Sequence, residues 1–294
     1  MLTNPAGAGA LDYFPCRYGQ SRSVFRGPVR DLSGDYVVVL GGSPTFGKYV
    51  AKPYPDLVEA ATGCPVVNLG VLNGGPDVFL SDPAVLDVAA RARVAVVQIS
   101  GAGAISNPYY TVHARRNDRF LAARPALMSL FPEVEFTEIH FVRHLLTALK
   151  QTDGQRFAQV VRVLKANWVA RMQELLVHLP PRRILLWLGE ASPPPHASLL
   201  EAGHGPLFVD SGMLKALHPA SGLLIEAIPS AAACAEGVAN MHFPLTEEAL
   251  ARCHPGAAVH REIAGLLAPP VAALLRKGPL ARLILDQPLA LAAV

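Results

Sequence analysis

Four short segments carry side chains able to act on a substrate. In Leu40-Gly41-Gly42-Ser43-Pro44-Thr45-Phe46-Gly47, the glycines let the backbone turn sharply and leave the Ser43 hydroxyl exposed. A serine held there is a candidate nucleophile whose own N–H helps to hold an oxyanion; the competing reading is a plain helix cap. Asn68 to Asp77 contains Asn73-Gly74-Gly75, where backbone N–H groups and the Asn73 amide can face a ligand, or an Asn-Gly pair can simply close a tight turn. Asn107 offers another amide donor, with a turn as its alternative. Near the C-terminus, Cys253-His254-Pro255-Gly256 and His260 supply candidate general bases, although a lone histidine is more often structural. No GxxxxGK[ST] phosphate loop is present, and Gly47-Lys48 is only a faint trace of one.

A fifth cluster is cationic. His113, Arg115, Arg116, Arg119 and Arg124 stand among Tyr109, Tyr110 and Phe120, with Asp118 against them. Guanidinium forks suit carboxylates, phosphates or sulfates, and the bland alternative is a solvated surface. His140 and His144 have the i, i+4 spacing of metal ligands, but no third ligand is identifiable, so neither a metal nor a cofactor is expected.

These residues need a scaffold. Continuous apolar runs at residues 36–40, 65–70, 94–100, 183–188 and 223–228 read as strands covered on both faces, the mark of a parallel sheet. Helical segments lie between them. One starts near Pro55, and another covers Pro83 to Ala92. Others cover Thr137 to Leu149, Gly154 to Leu179, and about Ala258 to Leu275 with an interruption at Pro269-Pro270. In the segment from Gly154, Phe157, Val160, Val161, Leu164, Trp168 and Met172 form one apolar stripe. The expectation is one doubly wound α/β domain over residues 1–294, with a parallel sheet of about five strands. It carries an N-terminal arm (1–34), an Arg-rich insertion (101–136) and an apolar tail (278–294). Residues 190–210 read as a surface loop. In such sheets ligands bind at the carboxyl ends of the strands, where Ser43, Asn73 and Asn107 fall.

Composition narrows the classes. The chain has 294 residues, 51% of them hydrophobic and 17% charged, which excludes a disordered chain. A net charge of +3 argues against nucleic acid as the main partner. The four cysteines form no CxxC pair. The start lacks the basic and apolar regions of a secretory signal, and no run of 18 apolar residues suggests a spanning helix. A cytoplasmic protein is expected, with the apolar tail as a homo-oligomer contact rather than a membrane anchor.

The order and spacing of the four segments resemble the SGNH (GDSL-type) hydrolase superfamily. Gly41 to Gly47 is similar to the nucleophile block, Asn68 through Asp77 to the second block, and His254-Pro255 with His260 to the last. The resemblance implies a flavodoxin-like fold and a serine esterase or acyl hydrolase. In that reading Ser43 attacks the acyl carbon, with His254, or as second choice His260, as base. The Ser43 N–H, Gly74 and either Asn73 or Asn107 stabilise the oxyanion. Arg115, Arg116 and Arg119 hold an anionic part of the substrate, such as an O-acylated saccharide. Departures are visible: Gly42 replaces the aspartate before the serine, Asn73 stands where the second-block glycine belongs, and the third block lacks its asparagine. Ala251 occupies the place of the triad acid, leaving Glu247 or Glu248 to substitute. These departures favour the alternative of an inactive relative that binds an anionic glycan or acts as an assembly partner. A transferase using a sulfate or phosphate donor is a third possibility that no donor motif supports. Leu11 to Gly19 and Val112 to Phe120 also resemble a domain-of-unknown-function family of alphaproteobacteria, which implies no activity.

Overall fold

The computed structural model describes residues 11–197, 205–217 and 222–276. The expected apolar tail lies outside them. Five parallel strands, β1 (Val37–Gly41), β2 (Val66–Gly70), β3 (Val94–Gln98), β6 (Arg183–Leu188) and β7 (Leu223–Ala227), form one sheet in the order β2-β1-β3-β6-β7. This is the flavodoxin-like winding, and all five strands coincide with the apolar runs. Alternate residues explain why those runs are continuous. Val37, Val39, Val94 and Val96 face α2 (Tyr54–Thr62) and α11 (Ala257–Leu275), while Val38, Leu40, Ala95 and Val97 face the opposite core. That second core is closed by α3 (Pro76–Leu80), α4 (Pro83–Ala90), α6 (Val142–Thr152), α7 (Gly154–Val177) and α8 (Ser211–Ala216). Trp168 of the α7 stripe is fully buried there, and its indole N–H donates to the Ser100 carbonyl at 2.9 Å.

Three expectations need correction. The segment from Thr137 opens as a 3-10 turn at Phe136–Glu138, and its helix starts only at Val142, so His140 precedes the helix that carries His144. α11 runs unbroken through Pro269 and Pro270. Pro269 and Pro270 deprive the carbonyls of exposed Gly265 and half-buried Leu266 of their helical donors, and burial of Ile263, Leu267, Val271 and Leu274 holds the helix together. α11 is also long and apolar enough to cross a membrane, yet here it packs as a core helix against α2 and the sheet. The Arg-rich insertion contains an antiparallel hairpin, β4 (Tyr110–His113) with β5 (Arg116–Ala123), followed by α5 (Pro125–Leu130). Its irregular register, shifted around Val112, hides the period-two pattern that would have marked it.

The N-terminal arm folds onto its own domain. Tyr18 and Phe25 enter the core, and Arg17, Arg22, Arg26 and Arg30 lie on no common helix. Arg26 is buried, and its guanidinium donates to the carbonyls of Phe46, Gly47, Val50 and Ala51. It therefore clamps the loop that follows α1 (Ser43–Phe46).

Candidate active site

Ser43 opens α1 directly beyond the carboxyl end of β1. The turn is tight because two strand-end residues have no side chain. A Cβ on Gly41 would overlap Thr45 Oγ1, and one on Gly70 would overlap the Phe46 backbone. Below the turn, Gln98 at the end of β3 takes the Gly42 N–H at 3.1 Å, the Thr45 N–H at 3.3 Å and the Thr45 hydroxyl at 2.6 Å on one carbonyl oxygen. The Ser43 N–H has no partner among the described residues.

The half-buried Ser43 hydroxyl bonds twice to Asn73. It accepts the Asn73 N–H at 3.0 Å and donates to Asn73 Oδ1 at 3.2 Å. Asn73 adopts a left-handed φ of 56°, a conformation asparagine tolerates. Its Nδ2 donates to Asp118 Oδ2 of β5 at 3.1 Å, which fixes the amide so that Oδ1 faces the serine. The neighbouring Asn117 is fully buried and accepts the Gly75 N–H at 2.7 Å, so the hairpin braces the whole second-block loop. Gly74 is a correction: its N–H closes the turn onto the Val71 carbonyl at 2.9 Å and is not offered to a ligand. Asn107 is another, since its Oδ1 accepts the Tyr109 and Tyr110 N–H groups and its Nδ2 donates to the Ile105 carbonyl. Its side-chain amide is spent on a buried turn.

The two histidines have separate fates. His260 is 1% exposed and lies on α11, where Nδ1 accepts the Tyr54 N–H at 3.0 Å and the ring stacks on Tyr54. Burial, reinforced by the positive charge of Arg26, lowers its pKa to about 3. Tyr54 in turn shares a 2.6 Å hydrogen bond with Thr45, so His260 anchors the underside of the serine turn and is not placed as its base. His254 is half-buried and follows α10 (Glu248–Ala251) in a segment that folds back onto the loop after α1. Its Nδ1 lies 2.8 Å from the Leu250 carbonyl, and its ring meets the edge of Tyr49 at 5.4 Å. A carbonyl at Nδ1 holds the proton there and leaves Nε2 as the basic atom. Burial, with Lys48 nearby, keeps its pKa below the ordinary histidine value. Neither acidic substitute reaches His254: Glu247 accepts the Tyr49 hydroxyl at 2.5 Å, and Glu248 pairs with Arg252. Neither histidine bonds to Ser43 in this structure.

The arginines also divide. Arg115 and Arg116 are exposed at the hairpin tip, with Arg115 donating to the Arg22 carbonyl. Arg119 instead lies over the Phe141 ring at 4.5 Å. The structure thus joins Ser43 and Asn73, adds Asp118 and Gln98, and leaves Asn107 and His260 in the scaffold. Gln98 did give a signal, as the one polar side chain in Val94-Ala95-Val96-Val97-Gln98.

A family model described as "Domain of unknown function (DUF6473)" matches residues 1–275. A comparison with curated proteins finds no match. Among solved structures, the chain is similar to a carbohydrate esterase family 2 enzyme with a carbohydrate-binding domain from Corynascus thermopiles (Myceliophthora fergusii). The TM-score is 0.42 at 15% identity, covering 85% of this chain and 69% of that one. It is also similar to a lipase from a goat rumen metagenome, with a TM-score of 0.41 at 14% identity over 83% of this chain and 100% of that one.

Proposed function

The chain belongs to that family of unknown function, and from the geometry of its site we propose a serine ester hydrolase acting on an acylated substrate with an anionic part. One observation carries the reading: Ser43 stands at the ligand-binding edge of the sheet with its hydroxyl held by Asn73 and its own N–H unpaired among the described residues. In this mechanism the Ser43 hydroxyl turns from Asn73 Oδ1 toward Nε2 of His254, which takes its proton as Oγ attacks the acyl carbon. The Ser43 N–H stabilises the oxyanion. His254 then protonates the departing alcohol, and water, activated by the same nitrogen, releases the acid. The Leu250 carbonyl orients the imidazole in place of the missing triad acid, without the negative charge that would stabilise an imidazolium, so turnover is slow. Arg115 and Arg116 hold the anionic portion, as an O-acylated acidic saccharide would present it.

The test is hydrolysis of p-nitrophenyl acetate and butyrate by the wild type and Ser43→Ala. A loss of about a thousandfold or more in the variant is expected. Equal rates, or none in either, would overturn the reading. A second reading, a non-catalytic ligand-binding protein, is favoured by one specific observation: the Ser43 hydroxyl donates to an amide oxygen rather than to an imidazole.

A further inference from the structure

Beside the serine turn lies a cavity of about 650 Å³, within the range of small-molecule sites. Gly103, Val142, Leu146 and Leu207 line its inner part. Gly103, Val142 and Leu146 are buried, so this wall offers hydrocarbon and little else. Its outer part is different. Arg143 and His144 are exposed on the first turns of α6, next to Phe141, whose ring carries the Arg119 guanidinium. Among the described residues neither Arg119 nor Arg143 forms an ion pair with a carboxylate. On the side facing Ser43 the wall is Asp118, the residue that holds Asn73.

We infer that this cavity binds an aliphatic chain ending in an anionic group, of which a medium-chain carboxylate is the simplest member. The chain leaves water for this apolar lining, at a gain of about fourfold in affinity per methylene buried. The head stays at the mouth, where the exposed Arg143 guanidinium, with Arg119 stacked on the neighbouring Phe141 ring, meets it without either charge leaving water. Asp118 lies on the wall nearest Ser43 and disfavours an anion at that end, which sets the direction of the ligand. The evidence is the cavity and its cationic mouth, so the inference holds whether or not Ser43 is a nucleophile.

Titration calorimetry with octanoate tests it, on both the wild type and Ser43→Ala so that hydrolysis plays no part. Acetate supplies the charge without the chain, and 1-octanol the chain without the charge. Saturable one-to-one binding of octanoate, weaker binding of octanol and none of acetate are expected in both proteins. Raising the salt from 20 mM to 0.5 M should weaken octanoate and spare octanol, as roughly expected for a screened head group. Arg119→Gln with Arg143→Gln should weaken octanoate by several-fold, up to about tenfold, and leave octanol unchanged. Filling the cavity with Thr147→Trp should abolish binding of both ligands; Thr147 lines the cavity and is half-buried, so the larger side chain is accommodated without disturbing the core. Absent or many-to-one octanoate binding in the wild type, binding unchanged by Thr147→Trp, or equal binding of acetate would each overturn the inference. Octanoate binding by a protein that hydrolyses no ester would overturn the proposed hydrolase alone.

Discussion

Acid should destabilise this protein through His260. Nδ1 must stay unprotonated to accept the Tyr54 N–H at 3.0 Å, and the ring is 1% exposed. Burial lowers the folded pKa from 6.5 to about 3, whereas the unfolded chain keeps the ordinary value. Between those limits the unfolded state binds a proton that the folded state does not. The contribution of neutral His260 is complete above pH 6.5 and is lost as the pH falls toward 3. The slope is about 1.4 kcal/mol per pH unit. His260→Asn puts an amide oxygen where Nδ1 stood and removes the titration. At pH 7.5 the variant should be less stable by about 2 kcal/mol, from the lost ring volume and stacking on Tyr54. From pH 6.5 to pH 4.5 the wild type should lose about 2 kcal/mol more than the variant, so their stabilities converge and then cross. Urea unfolding followed by tryptophan fluorescence reports this, because Trp168 and Trp187 are both buried. A gap between the two proteins that is constant across pH would refute the reasoning.

Two further outcomes follow from the same contacts. Arg26→Met removes a buried donor to four carbonyls and should cost about 3 kcal/mol in urea unfolding, since Val50 and Gly47 are buried; a cost under about 1 kcal/mol would show the loop holds itself. Asp118→Ala frees the Asn73 amide, and ester hydrolysis should fall about tenfold in kcat with KM little changed, while a pure KM effect would place Asp118 in substrate binding instead.

Much of the scaffold was legible because burial writes itself into composition. A strand covered on two faces has no polar side, so Val37 to Leu40 and Ile184 to Trp187 stand out as unbroken apolar runs. The hairpin did not stand out, since Arg115 and Arg116 interrupt it and its register shifts at Val112. Continuity of α11 through Pro269 and Pro270 depends on which carbonyls face solvent, a property of the packed helix. At the site, Ser43 and Asn73 were legible from Gly and Asn at strand ends. The partners that fix them were not: Asp118 lies 45 residues from Asn73, and His260 lies 206 from Tyr54. For the same reason Asn107, a sound candidate by type, belongs to a turn that only its three short-range hydrogen bonds reveal.

The central claim is that Ser43 is a nucleophile, and covalent capture tests it most directly. A fluorophosphonate transfers its phosphonyl group to an activated serine oxygen with loss of fluoride, and intact-mass and peptide spectra then locate the adduct. The account predicts one adduct per chain on the peptide containing Ser43, absent from Ser43→Ala and slowed in His254→Ala. No adduct under conditions that label a control esterase, or an adduct elsewhere with Ser43 untouched, would contradict it.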